Sequence, residues 1–435
     1  MTRRLLPLLA IAIAAPLTAA ADVQAQNEQA QGLRDRIEAE LFTFGTCGEP
    51  LCLDLDNTHG NHYLPSLGEG NDAVIVFLSQ AIGNAPASVP LGATSSGATF
   101  SIVGGLPVRT STSAGPIFNE RTQTLGRGRI FLGASVTGVE YTSLNGTPLS
   151  GLQLNFAHEN TDPDATFGDP VYENDLMALD LDLNVNVIVA AAALTIGVTD
   201  FLDIGVAVPF VRTQVSGRSS AQFLPFGSSA IHRFGGDASD PILRATASME
   251  GTASGIGDVA ARMKINLGQS STMGAGLLAE MRFPTGDEEN LLGAGASQIR
   301  AAALYSAQLG GFSPHLNVGY VARNGDYQRD GVNIQTAFDQ LLTDWATLAV
   351  GVEAEMQMGD NPFVLPEEIV LTEPFVRQFA ATNIPNQDGD LLRAMIGGKF
   401  TVRGGTVLVA NGIFLLRKVG LQPDFIWTLG LDFPF

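Results

Sequence analysis

The side chains best able to do chemistry are few and far apart. Cys47 and Cys52 stand in FGTCGEPLCLDL. In an oxidising compartment a pair this close forms one disulfide around a four-residue loop, a local clip that removes little chain entropy. Redox catalysis more usually uses the tighter C-x-x-C spacing. His59 and His62 (HGNH) offer imidazoles for a metal, but no carboxylate or thiol stands at a convincing spacing, and a solvated loop is the plainer reading. The acidic run Asp287–Glu288–Glu289 after Pro284-Thr285-Gly286 reads as a solvated loop tip, or as a contact for a hard divalent cation. G-x-S-x-G, H-E-x-x-H and a phosphate-cradling Gly-Lys motif are all absent. No catalytic residue, metal or cofactor is therefore assigned, and the chain does not read as an enzyme.

A larger set of charged side chains recurs at alternate positions within apolar runs. The acids are Asp180, Asp182, Asp203, Asp258, Glu280, Asp339, Glu353, Glu355 and Asp432. The bases are Arg129, Arg262, Lys264, Arg282, Arg300, Arg323, Arg393 and Lys399. The two signs nearly balance, whereas a conduit selective by charge carries one sign at its constriction. Balance predicts cross-cavity ion pairs or a passage for neutral solutes. Val407, Val409, Ile413 and Leu415 join this face and give it an apolar patch.

These positions need strands to hold them, and the pattern supplies them. From about residue 126 the hydrophobic period is two almost to the C-terminus. Gly257–Leu267 sets Val259, Ala261, Met263, Ile265 and Leu267 against Asp258, Arg262, Lys264 and Asn266. Residues 179–187 set Leu179, Leu181, Leu183, Val185 and Val187 against Asp180, Asp182, Asn184 and Asn186. Runs at 312–323, 346–358 and 425–435 repeat the design. About twelve such segments are expected: 126–142, 178–198, 201–214, 255–268, 272–284, 296–309, 312–324, 331–341, 344–358, 389–402, 405–418 and 421–433. They exceed the roughly five or six residues usual in soluble sheets and match the roughly 9–11 of a tilted membrane-spanning strand. Connections at 199–200, 269–271, 310–311, 342–343 and 403–404 are short, and the alternate ones are mostly long. An even strand count with short turns on one side and long loops on the other is the layout of a transmembrane β-barrel. Closure follows because hydrocarbon leaves no partner for an open sheet edge. A secreted β-sandwich with one wet face is the rival, and strand length and loop parity count against it.

Composition agrees. Of 435 residues 24 are basic and 44 acidic, 16% are charged and 49 are glycine. Soluble domains carry about 25% charged residues and about 7% glycine. The acidity argues against nucleic acid or an anionic lipid surface held by charge. Residues 1–21 read as a secretory signal peptide, with Arg3 and Arg4 before an apolar run and small residues at 19–21; a cut after Ala25 is the rival. Residues 22–125 form a mixed N-terminal region on the periplasmic side, and 126–435 the barrel. Within that region Asn27–Phe42 reads as an amphipathic helix with Leu33, Ile37 and Leu41 on one face. Asp72–Ile82 reads as a second helix whose Val74, Phe77, Leu78 and Ala81 are placed to plug the lumen against Val407, Val409 and Ile413, or to lie outside the pore.

The terminal strand FIWTLGLDFPF, with Phe433 and Phe435, resembles the C-terminal signal that Gram-negative outer-membrane barrels present to their assembly machinery. Gly115–Gly133, Gly255–Leu267 and Ala279–Ala303 together resemble the exported transporter-like barrels of the meta-pathway-of-phenol-degradation family. These in turn are thought similar to outer-membrane uptake channels for fatty acids and aromatic hydrocarbons. The resemblance covers roughly residues 115–435. It implies a passive outer-membrane channel for small hydrophobic or aromatic compounds in a Gram-negative bacterium. The implied partners are outer-membrane lipids and lipopolysaccharide, the barrel-assembly machinery and a small apolar solute. A non-transporting structural or adhesive barrel that displays its long loops is the alternative.

Overall fold

The structure is a computed structural model. It describes residues 31–44, 51, 63, 82, 100–103, 106–109, 119–158, 173–226, 232–325, 328–361, 365, 368–387, 389–402 and 406–434. Cys47, Cys52, His59, His62, Phe435 and all of Asp72–Ile82 except Ile82 lie outside the described residues.

Twelve antiparallel strands close a ring: β1 Ile130–Leu144, β2 Leu176–Gly197, β3 Leu202–Leu224, β4 Ala260–Gln269, β5 Met273–Arg282, β6 Gln298–Ala307, β7 Phe312–Arg323, β8 Gly331–Thr343, β9 Ala346–Gln357, β10 Leu391–Thr401, β11 Val407–Leu415 and β12 Leu421–Pro434. Each pairs with the next in the chain, and β12 pairs with β1 to close the ring. The twelve expected segments are all present. Two strands are prolonged past the ring on the long-loop side. The segment Arg244–Ile256 pairs with the far half of β3 where β4 stops, and Ser150–Ala157 pairs with the far half of β2 where β1 stops.

Burial alternates along each strand, with one parity exposed. Outward side chains include Met263 and Leu267 on β4, Leu316, Val318 and Tyr320 on β7, Val352 and Met356 on β9, and Phe425, Trp427, Leu429 and Leu431 on β12. Such an apolar belt is what a barrel presents to lipid. On β2 the same parity changes character midway. Ile188, Ala190, Ala192 and Ile196 are outward and apolar, whereas Asp180, Asp182 and Asn184 on that face are exposed and polar. The outward face of β3 changes in the same way after Phe210, to Arg212, Gln214, Arg218 and Ser220. The outward apolar stretch from Ile188 to Val198 spans ~35 Å along the strand, which tilted comes to the ~25 Å of the lipid belt. Beyond it the wall stands clear of that belt. Its inward face, Leu179, Leu181, Leu183, Val185 and Val187, is buried.

One helix, α1 Leu33–Leu41, is described in the N-terminal region, shorter than the expected 27–42. Leu33, Ile37 and Leu41 are its buried stripe, as their four-residue spacing predicts. The helix lies inside the raised wall. Gly217 and Gly251 face inward there, and added Cβ atoms would stand 3.0 Å from Leu41 Cδ1 and 2.3 Å from Leu33 Cδ1 respectively. Ser219 Oγ donates to the Leu41 carbonyl at 2.6 Å, and Arg36 donates to the Glu250 carbonyl at 2.9 Å.

Candidate functional site

Inside the ring the charged side chains anticipated from the alternation form a connected layer. It is filled by a stretch of chain that periodicity could not place. Residues 119–122 run through the lumen and are buried; residues 124–129 then pass the turn after β2 and enter β1. Thr124 Oγ1 donates to the Asp200 carbonyl at 2.6 Å, and the Leu125 N–H donates to Asp203 at 3.0 Å.

The threaded stretch meets the wall through charge. Arg121 Nη2 is 2.9 Å from Asp339 Oδ2, with the Asp339 side chain fully buried. The other Asp339 oxygen is 2.5 Å from His315 Nε2, and His315 Nδ1 is 3.0 Å from Ser306 Oγ. Ser306 Oγ in turn accepts the Thr122 N–H at 3.2 Å. A Ser–His–Asp chain has therefore assembled on β6, β7 and β8. Its serine is sealed under Thr122 and its aspartate is committed to Arg121, so the chain binds the inserted segment. Sequence reasoning did not isolate it, because its members lie on three strands and match no local motif. Toward β3 and β4, Glu120 lies 3.8 Å from Arg262 and 3.6 Å from Lys264, and Lys264 lies 3.7 Å from Asp203. Arg262 also pairs with Glu280, which takes Arg282 at 3.3 Å.

Nearer the long-loop rim a second layer crosses β6 to β10. Arg300 donates to Asn333 at 3.2 Å and Gln335 at 3.1 Å; both amides donate to Glu353, which faces Arg393 at 3.4 Å. Arg323 pairs with Glu355 at 2.7 Å. Lys399 and Asp432 are buried on the inward faces of β10 and β12. Arg262, Lys264, Glu280, Arg282, Arg300, Arg323, Glu353, Glu355, Arg393 and Lys399 are buried or half-buried on the parity opposite the exposed apolar side chains.

Three expectations are corrected. Asp180 and Asp182 point out of the ring and are exposed, because on that stretch the medium outside is water and the apolar face turns inward to cover α1. Asp258 is buried, but it caps a loop. Its two oxygens accept the N–H groups of Gly286 at 3.0 Å and Ala294 at 2.9 Å, at the break between Ile256 and Ala260. That loop is not a free acidic tip. It folds inward, burying Leu291 and Leu292, with the Leu291 carbonyl on Thr213 Oγ1 at 2.7 Å. Its Glu288 pairs with Arg34 of α1 at 2.5 Å, and its Glu289 carbonyl takes the Arg34 N–H at 2.8 Å.

The lumen therefore has two chemistries. On its long-loop half the wall of β11, β12 and β1 to β3 is apolar, including Val139, Val185, Val187, Val211, Val215, Ile413 and Ile426, and continues into the core around α1, Tyr63 and Ile82; nearer the short turns the same strands carry Asp203 and Asp432. The wall of β4 to β10 is ionic. Such a passage can hold an apolar solute against one side while paired charges keep the other side intact.

Residues 161–358 match the family described as putative MetA-pathway of phenol degradation, which bears out the resemblance carried by Gly255–Leu267 and Ala279–Ala303 within that span. No curated protein matches the chain. Among solved structures, the chain is similar to an outer-membrane channel from Pseudomonas putida F1, with 14% identity over 72% of this chain and 98% of that one and a TM-score of 0.41. It is also similar to a FadL homologue from Pseudomonas aeruginosa, with 12% identity over 70% and 90% of the two chains and a TM-score of 0.33. A monoaromatic hydrocarbon channel, TodX in a deletion-mutant form, gives 11% identity over 72% and 91%, with a TM-score of 0.32.

Proposed function

From the family match over residues 161–358, we propose that the chain is an outer-membrane channel for passive uptake of small hydrophobic or aromatic compounds. In this reading it is exported by the signal peptide at 1–21, with residues 22–125 as a plug region and 126–435 as the barrel. The long-loop rim faces outside and the short turns face the periplasm. The observation that carries the reading is the apolar wall on the long-loop half of a ring whose other wall is neutralised by ion pairs. Water-filled pores for ionic solutes concentrate one sign of charge. Here opposite signs are paired, and the long-loop half of the other wall is hydrocarbon.

Liposome swelling tests this against the display-scaffold alternative. Proteoliposomes should admit small aromatic solutes faster than sugars of similar size. Impermeability to both would favour a non-transporting barrel, and equal entry of both would mean an unselective pore.

A further inference from the structure

At the long-loop rim one guanidinium is held by rings. Arg377 opens the second strand of a hairpin, Glu368–Leu371 with Arg377–Ala380, within the long connection between β9 and β10. The hairpin is seated on the raised wall. The Asn155 N–H and Nδ2 donate to the carbonyls of Ala381 and Ala380, each at 2.8 Å. Ile369 and Leu371 are buried there with Ala157, Leu176 and Ala381.

The Arg377 guanidinium carbon lies 4.0 Å from the centre of the Phe226 ring, and 5.8 and 5.9 Å from those of Phe375 and Phe379. Stacking on a ring face fixes the plane of an arginine and leaves its N–H groups at the edges. Phe226 is anchored in turn, since its N–H donates to Asp175 Oδ1 at 2.8 Å. Asp175 Oδ2 lies 2.8 Å from His232 Nδ1, and this carboxylate reaches Arg377 only through its field. Arg377 is half-buried, yet its Nε and Nη2 are shielded from water and donate to no acceptor among the described residues. These two nitrogens form one edge of the guanidinium, whose parallel N–H bonds match a carboxylate. A shielded donor left without an acceptor costs stability, so two on one edge mark a place built for one.

We propose that this edge binds a small aryl carboxylate, a benzoate-like monoanion, captured at the rim before it enters the passage. Its two oxygens take the Nε and Nη2 protons, and its ring lies against Phe375. Three observations select that class. Two parallel donors match a planar two-oxygen group. The groups around them are phenyl rings, which stack on an aromatic ligand and give no donor to a phosphate's remaining oxygens. The field of Asp175, with Glu368 and Glu373 exposed on the same hairpin, disfavours a dianion. Phe375 is 58% exposed, so turning it aside to admit the ligand uncovers no packed core. The inference rests on the channel reading and names a solute class for it, aromatic acids beside neutral aromatic compounds.

Isothermal titration of the full-length protein in detergent tests it, with benzoate, benzamide, octanoate and inorganic phosphate as probes. Benzoate should bind roughly tenfold more tightly than benzamide, which keeps the ring and lacks the charge. Arg377→Gln should lower benzoate affinity by a similar roughly tenfold factor. Arg377→Lys offers a point charge without the fork and should not restore it. Phe375→Ala alters an exposed side chain and should weaken benzoate roughly fivefold, a readout that survives if the Arg377 variants fold poorly. Benzamide, octanoate or phosphate binding as tightly as benzoate overturns the proposal. So does benzoate affinity unchanged in Arg377→Gln and Phe375→Ala, which would leave Arg377 a distant counter-ion of Asp175. Entry of neutral phenol into proteoliposomes reads the channel separately. Phenol flux without benzoate binding removes this site and keeps the channel; benzoate binding without phenol flux does the reverse.

Discussion

At Asp339 both carboxylate oxygens are engaged, one by Arg121 from the inserted segment and the other by His315 from β7. Removing one partner of a buried pair leaves a charge without compensation and typically costs about 3–5 kcal/mol. Arg121→Ala should therefore loosen residues 119–122 while leaving the ring paired, since the strand hydrogen bonds do not involve Arg121. Hydrogen exchange should rise at Arg121 and Thr122, with little change on β8. Because Asp339 also holds buried His315, it must stay; Arg121→Lys, which keeps a cation on that carboxylate, should restore most of the protection. Unchanged exchange in Arg121→Ala would show that the segment is held by something other than this pair. Single-channel conductance offers a second readout: if residues 119–122 occlude the passage, it should increase in Arg121→Ala and fall back in Arg121→Lys.

At the level of elements, α1 is held in the raised wall by contact with two residues that have no side chain. Burying Leu33, Ile37 and Leu41 stabilises the docked helix by about 1.5–3 kcal/mol for each fully covered side chain. A Cβ at Gly251 would overlap Leu33. Gly251→Val should expel the helix, making a cysteine placed at Ile37 reactive to a bulky maleimide that does not reach it in the parent protein. The barrel's heat-modifiable folded form should persist, because residue 251 keeps its backbone pairing with Val215. Tag insertion checks the orientation: an epitope at Asn361 should be labelled on intact cells and one between Gly310 and Gly311 should not. The reverse pattern would invert the proposed topology. The strands themselves were legible in the sequence because a two-residue period with lipid outside leaves a long, regular trace from 255 to 433. Alternation reports two faces but does not say which medium wets each. That is why Asp180 and Asp182, on an outward face bathed by water, read as lumen residues. The apolar pattern of β2 switches from odd to even positions at Val187–Ile188 while the strand's own in–out parity runs on unchanged, and apolar neighbours hide the switch. For α1 the four-residue spacing revealed the buried stripe and gave no hint of what covers it.

For the whole molecule, uptake and plugging become one question, because the apolar wall that would receive a solute is the wall α1 covers. A disulfide between Leu33→Cys and Gly251→Cys should lock the helix in place. If solutes pass only when it moves, aromatic flux in proteoliposomes should fall under oxidising conditions and return on reduction. Flux insensitive to the lock would mean that solutes pass beside a permanent resident. The raised wall has a consequence of another kind. The outward apolar band of β3 ends at Phe210, but the strand runs on to Leu224, whereas β5 stops at Arg282 and β6 begins at Gln298. Fourteen further residues rise ~45 Å along the strand, or ~35 Å vertically at a common barrel tilt. The rim is therefore cut obliquely, tall on one flank and low on the other. In the proposed orientation, a phage tail or antibody approaching the cell meets Asp180, Arg212, Arg218 and Glu250 on the high flank before it meets the mouth. Selection by such agents would then vary the face of this parapet while leaving the passage behind it unchanged.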